Sequence, residues 1–178
     1  MTILPSHLET QRLLIRPFHE EDLASFIKIR QDKDFRRFMQ PETSNHEPTC
    51  EELKQRLSRF EREVKTSGLG PRALTYKQTG KVAGFCGIIH TNGAPDKEII
   101  YFILPELRRI NLCLEAASCV IKNMQADSIG AFVETHNTAS LTVLKKLGFK
   151  YEGDIFHPFQ KKHVGWHSLT PDKSPKSN

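Results

Sequence analysis

The segment that most constrains this chain is EIIYFIL, residues 98 to 104. A strand of this composition is apolar on both faces and needs cover above and below, so it reads as the central strand of a sheet packed between helices. It runs into Pro105 and the short basic connection ELRRIN, then into a run of helix formers, LCLEAA. A strand that feeds a helix N-terminus offers unpaired N–H groups and a partial positive charge, which suit a phosphate. The connection has no glycine, so the question is how closely a phosphate could approach its backbone.

The elements around this strand can be read in order. RLLIRPF (12–18) is a strand closed by Pro17, which cannot donate to a ladder. EEDLASFIKIR forms a helix with Leu23, Phe26 and Ile27 on one face, and DKDFRRFM a second, short one. Thr49 and Glu52 fit a capping box, Leu53, Leu57, Phe60 and Val64 form an apolar stripe, and SGLGP stops that helix. RALTYKQ and KVAGFCGIIHT form a hairpin around Thr79-Gly80, with Gly84 and Gly87 marking a bulge or close packing. The helix after the central strand is expected over 109–125, burying Leu114, Ala117, Ile121 and Met124. IGAFVET is a strand, a helix runs from Asn137 as N-cap to Gly148, and FKYEGDIFHPFQKKHVGWHSL supplies two antiparallel strands, the last anchored by Trp166. The class is α/β: a single domain over residues 1–168, built on a mixed, mostly antiparallel twisted sheet with helices on both faces. A polar tail, 169–178, is expected to be disordered.

At 178 residues the chain suits one domain with a real core. No stretch approaches the roughly 18 apolar residues of a membrane span, and the opening residues lack a signal-peptide pattern, so a cytoplasmic protein without membrane contact is expected. Cys50, Cys86, Cys113 and Cys119 show no CxxC spacing and are expected as reduced thiols, buried as small apolar side chains. The net charge of +5 favours an anionic partner. Its basic residues are scattered along solvated helix faces, not gathered into a stripe, so nucleic acid is not the expected partner. His157, His163 and His167 have no shared ligand spacing, and no metal is expected.

Three pieces converge in such an arrangement: the end of EIIYFIL, the turn PELRRINLC and the junction ETHNTAS, since ligands of open α/β sheets sit outside the carboxyl ends of parallel strands. At these residues the chain resembles the GCN5-related N-acetyltransferases (GNAT), and within them the branch of Rim-type ribosomal-protein N-terminal acetyltransferases. LETQRLLIRPFHEEDL is similar to that branch's L-x-T-x-R-L-x-L-R-P opening, TGKVAGFCGI to its T-G-x-x-I-G-x-x-G-L hairpin, and EIIYFILPELRRINLCLEAA to its E-I-x-Y-x-L-x-P strand and turn. NTASLTVLKKLGFKYEG fits N-x-x-S-x-x-V-L-x-K-L-G-F-x-x-E-G. The likeness spans roughly residues 8 to 169.

The resemblance implies acetyl-coenzyme A as co-substrate and a primary amine as acceptor, either a protein N-terminus or a small molecule, attacking the thioester directly. It implies that Phe102, Ile103 and Leu104 pair with the pantetheine arm, that N–H groups of Arg109, Ile110, Asn111, Leu112 and Cys113 cradle the pyrophosphate, and that Asn137 approaches the cofactor. Ser140 is expected near the thioester sulfur as its hydrogen-bond donor. The family's turn reads R-G-x-G-x-A, whereas RRINLC places Arg109 and Asn111 at the two glycine positions. Arg108 and Arg109 instead bring permanent charges that can pair bidentately with phosphate. Glu98 and Glu134 are the candidate general bases, directly or through water, with His136 a third; Leu144 stands where many relatives carry a tyrosine acid. By the same likeness the loop MQPETSNHEPT and the C-terminal hairpin shape the acceptor groove. A second reading is a catalytically silent relative whose degenerate turn has left an interaction module. Monomer and dimer both stay open.

Overall fold

The computed structural model describes residues 4–40, 47–124 and 127–170. Along them run β1 (Leu8–Glu9), β2 (Leu13–Arg16), α1 (Leu23–Gln31), α2 (Lys33–Met39), α3 (Cys50–Ser67), β3 (Gly70–Tyr76), β4 (Lys81–Ile89), β5 (Glu98–Ile103), α4 (Leu112–Asn123), β6 (Ile129–Val133), α5 (Thr138–Leu147), β7 (Lys150–His157) and β8 (Lys162–Leu169). Residues 41–46 of the loop expected to shape the acceptor groove, and 171–178 of the polar tail, lie outside the described residues.

One eight-stranded sheet has the order β1-β2-β3-β4-β5-β6-β8-β7. Every neighbouring pair is antiparallel except β5 and β6. The alternating sides of β4 and β5 feed two apolar layers. Cys86, Ile88, Ile99 and Ile103 join Leu112, Ala116, Val120 and Leu144 of α4 and α5 on one face. Phe85 and Phe102 join Phe26, Ile29, Phe35, Leu53 and Leu57 of α1, α2 and α3 on the other. The central strand is therefore covered on both sides, as its composition requires.

Local signals set most boundaries. Thr49 Oγ1 accepts from Glu52 N at 3.2 Å while Glu52 Oε2 accepts from Thr49 N at 2.7 Å, a reciprocal cap at the start of α3. That helix stops at Gly68, whose φ of 71° is left-handed. Gly84 and Gly87 do mark close approach: a β-carbon would lie 1.9 Å from Phe102 O at the first and 2.1 Å from Gly70 O at the second, and the β3–β4 register shifts opposite Gly84. Trp166 lies across Gly130, where a β-carbon would meet its ring at 1.9 Å.

Four expectations need correction. α4 starts at Leu112, not at 109, because Arg109 and Asn111 take φ of 65° and 63°, which no α-helix accommodates. Its buried face is Leu112, Ala116, Ala117, Val120 and Ile121, with Leu114 and Met124 only half-buried. On α1 the deeply buried pair is Phe26 and Ile29, and Cys50 is exposed.

Two polar clusters fasten the layers. Glu115, in the first turn of α4, accepts from Thr10 Oγ1 (2.6 Å), Arg12 N (2.9 Å) and Arg12 Nε (2.7 Å), which ties the N-terminal strands to α4. Burial pushes its carboxyl up, but the donors from Thr10 and Arg12 outweigh that and hold it below the usual carboxylate range. Arg72 is fully buried, has no carboxylate partner among the described residues, and donates to the carbonyls of Gly68, Gly70 and Pro5. Its charge sits at the negative end of α3, and burial lowers its pKa to about 10.

Glu115→Ala removes the shared acceptor of Thr10 and Arg12. It should cost about 2 kcal/mol, a fall in Tm of roughly 4 to 8 °C at this size. Lys28→Ala, at an exposed ion pair with Glu106, should stay within about 0.5 kcal/mol. Equal losses in thermal unfolding would contradict the tie.

Candidate active site

β5 pairs with β4 along all six of its residues, and β6 with β8 along all five, but β5 and β6 share a single register pair, Glu98 with Gly130. From that point the two strands diverge toward their carboxyl ends and leave a wedge in the sheet. Residues 99–102 of β5 thus have no partner strand on the β6 side. A wedge of this kind exposes backbone donors and acceptors inside a covered sheet, where an extended ligand can pair with them.

Two cavities occupy the wedge. The larger, about 610 Å³, opens beside the turn after β5 and along α5; the smaller, about 50 Å³, lies deeper, between β5 and β6. Phe38, Met39, Tyr101, Asn137 and Ser140 line both, and so form the throat between them. Ser140 and Asn137 stand here because Asn137 Oδ1 caps α5 through Ser140 N at 3.1 Å. Tyr101 donates to Ser140 O at 3.4 Å, and burial raises its phenol well above the ordinary range, so it stays protonated as a donor.

The glycine-free turn adopts the conformation expected of glycines. Arg109 and Asn111 are both left-handed, and the free N–H groups of α4 begin immediately after them. Left-handed residues in alternation fold successive N–H groups inward, the geometry of an anion-binding concavity. Arg109, Asn111, Leu112 and Cys113 line the larger cavity, while Ile110 points outward, 41% exposed. A left-handed arginine costs roughly 1 kcal/mol, and asparagine less. The backbone at this turn fits a diphosphate.

Arg108 also lines the larger cavity, with its guanidinium already engaged by protein partners. Its Nη1 and Nη2 lie 2.6 Å and 3.1 Å from Asp34 Oδ2 and Asp32 Oδ1, and its Nε donates to Ile103 O at 2.9 Å. It thereby pins the N-terminus of α2 to the turn. At Asp32 burial pushes the carboxyl up, yet the N–H groups of Phe35 and Asp34 and the Arg108 guanidinium hold it below the usual range. Leu104 N is also taken, by Ala83 O at 2.8 Å. Of the three residues expected to meet a pantetheine arm, Phe102 and Ile103 line the larger cavity; the unpartnered edge of β5 lies at 99–102.

The candidate bases separate. Glu134 lines the smaller cavity, and His136 lines the larger. Lys162 Nζ stands 2.9 Å from Glu134 Oε1, an ion pair that neutralises this carboxylate's charge at the pocket. Glu98 lines neither cavity. It is 4% exposed at the vertex of the wedge, where Thr91 Oγ1 donates to it at 2.8 Å and burial raises its pKa to about 7. Leu144 is buried in the core away from the cleft.

Sequence reasoning did not single out Phe38, Met39, Tyr101 or Gln160 as wall residues, although Met39 begins the loop and Gln160 lies in the hairpin expected to shape the acceptor groove. Gln160 sits in the β7–β8 turn, where His157 Nδ1 accepts from the N–H of Phe159 and of Gln160. Its Nε2 donates to Phe38 O at 3.0 Å. No spacing rule connects a turn glutamine to a helix 122 residues earlier.

A family model described as an acetyltransferase (GNAT) domain matches residues 12–150. Among solved structures, the fold is similar to Mycobacterium smegmatis RimJ in complex with CoA-disulfide, with 18% identity over 93% of this chain and 85% of that one at a TM-score of 0.76. It is also similar to a ribosomal-protein-S5-alanine acetyltransferase from Vibrio fischeri, with 20% identity over 95% and 98% of the two chains at 0.74. The microcin C7 self-immunity acetyltransferase MccE, in complex with acetyl-CoA and AMP, shares 14% identity over 94% and 97% at 0.75. At these identities the likeness is one of fold.

The raised pKa of Glu98 makes a stability prediction with a definite sign. The fold favours its neutral form, so ionising it costs nothing below about pH 4.5, progressively more up to about pH 7, and a constant amount above. Glu98→Gln should therefore gain on the wild type by about 3 kcal/mol between pH 4.5 and pH 8 in denaturant unfolding. A gap that does not change with pH would contradict this burial.

Proposed function

The chain belongs to the GNAT acetyltransferase family, and from that premise we propose that it transfers an acetyl group from acetyl-coenzyme A to a primary amine held in the wedge between β5 and β6. The observation that carries the reading is the throat: one set of side chains joins a large cleft, ending at an anion-ready turn, to a small pocket containing a carboxylate.

Acetyl-coenzyme A, when bound, supplies an acetyl carbon activated by a thiolate leaving group. The chain's own residues supply place and protons. The left-handed turn at Arg109 and Asn111 and the first N–H groups of α4 hold the diphosphate. The unpartnered edge of β5 receives the extended arm, and Phe38 and Met39 of α2 close over it. The bond from nitrogen to the acetyl carbon forms as the carbon–sulfur bond breaks; Glu134 takes one proton from nitrogen, and Ser140 or the protonated Tyr101 delivers one toward sulfur. Glu98 stays structural. The acceptors we favour are amines presented on a protein or peptide, and the left-handed turn speaks against a silent relative, because strain of this kind persists where function uses it.

The test is thiol release from acetyl-coenzyme A with a panel of peptides bearing free or blocked N-termini and of alkylamines. With an accepted amine, Glu134→Gln should lower kcat about 100-fold with little change in KM for acetyl-coenzyme A, and Glu98→Gln should stay within about threefold. Loss of turnover in Glu98→Gln with Glu134→Gln unaffected would move the base to the vertex and overturn this assignment.

A further inference from the structure

We propose that Asp32 and Asp34 are positioning residues for the diphosphate: by gripping Arg108 they hold the left-handed turn at Arg109 and Asn111 in its binding form before a ligand arrives. The inference rests on the acetyl-transfer reading, which supplies the ligand, and adds what keeps a turn without glycine in shape.

Its starting point is a conflict of charge. Asp34 lines the larger cavity together with Arg109 and Asn111, and Asp32 stands two residues before it. A carboxylate beside a diphosphate repels it, so these two side chains work against the site unless they serve it in another way. Arg108 shows what that way is. Its Nη1 donates to Asp34 Oδ2 at 2.6 Å, Nη2 to Asp32 Oδ1 at 3.1 Å and Nε to Ile103 O at 2.9 Å, while the guanidinium carbon lies 5.2 Å from the centre of the Phe102 ring. Asp32 is itself held, because the same Oδ1 accepts from Asp34 N at 2.9 Å and Phe35 N at 3.1 Å as the cap of α2. The guanidinium is thus fixed between the end of β5 and the start of α2 by charge-assisted bonds of defined direction.

The strained residues follow directly. Leu107 N donates to Leu104 O at 3.0 Å and Arg108 N to Pro105 O at 3.2 Å, so the chain is hydrogen-bonded up to Arg108. It is fixed again at Leu112, buried in the core where α4 begins. Residues 109 to 111 alone join these two anchors, and the Asn111 side chain makes no cap to α4 that would hold the turn from within. Glycine would take φ of 65° and 63° unaided; arginine and asparagine keep such angles where the surroundings over-determine them. Of the two anchors, only Arg108 can be released without opening the core. Once it is released the turn visits other conformations, and the apparent affinity for a diphosphate falls with the fraction still competent to bind. A pantetheine arm meets the open edge of β5 and does not draw on the turn.

The measurement is calorimetric titration of the full chain with coenzyme A and with pantetheine, for the wild type, Asp34→Ala, Asp32→Asn and Arg108→Gln. Asp32→Asn removes the charge and keeps the cap of α2, since asparagine caps about as well as aspartate. The clasp predicts that Asp34→Ala and Arg108→Gln each weaken coenzyme A by about tenfold or more and Asp32→Asn by about threefold, with pantetheine affinity within about twofold of the wild type throughout. The sign decides. On charge alone Asp34→Ala removes a repulsion and frees Arg108 for phosphate, so coenzyme A would bind more tightly. Tighter or unchanged binding of coenzyme A to Asp34→Ala overturns the clasp, as does an equal loss of pantetheine, which marks a general loosening of the fold. Asp32→Asn carries the same test of sign should Asp34→Ala fail to fold. If the wild type binds no coenzyme A, the acetyl-transfer reading falls and the clasp with it; if the wild type binds and Asp34→Ala is not weakened, the clasp alone falls.

Discussion

The active-site architecture depends on one broken pairing. β5 follows β4 and β6 follows β8 over their full lengths, and the two halves of the sheet meet at Glu98 and Gly130 alone. Had the parallel pair zipped, its backbone groups would satisfy one another and no ligand could enter. Because it parts, a covered sheet acquires an open edge in its middle, with a helix N-terminus at one end of the gap and a carboxylate pocket at the other. The layers on either face hold the halves in place: α4 and α5 pack one side, α1 to α3 the other.

α2 links the parts of this gap. Its N-terminal carboxylates, Asp32 and Asp34, grip Arg108 of the turn, and its C-terminal end, at Phe38, receives Gln160 from the β7–β8 turn. One short helix thus spans the cleft from the turn after β5 to the β7–β8 turn. Of the two charges that sequence reading offered to a phosphate, that of Arg108 is paired within this strap, and the backbone at Arg109 and Asn111 takes the left-handed form expected of glycines. A turn without glycine does so by accepting strain: asparagine tolerates the left-handed region well, and arginine tolerates it at modest cost where its side chain is exposed.

Much of the fold was legible in the sequence because its signals are local. The Thr49–Glu52 cap, the stops at Gly68 and Gly148, the Asn137 cap and the two-sided apolarity of residues 98–104 each follow from neighbours a few positions apart. Thr10, Arg12 and Glu115 were visible as letters of the family-like patterns, but one carboxylate shared by three donors appears only when residues more than 100 apart meet. The same limit explains what the sequence left out. Arg108 meets its partners from 74 and 76 positions away. Whether Glu98 or Glu134 faces the wedge depends on where β5 and β6 part, which neither strand's composition records. Gln160 lies in the hairpin expected to shape the groove, but no helical or strand periodicity singles it out within that hairpin.

The central claim is that main-chain groups of a glycine-free turn bind a diphosphate. The most direct measurement is calorimetric titration of the wild-type chain with coenzyme A and, separately, with pantetheine, which shares the arm but lacks the diphosphate and nucleotide. The turn predicts that coenzyme A binds at least 100-fold more tightly, about 2.8 kcal/mol. Equal affinities would mean that the turn contributes nothing to binding and would contradict the account.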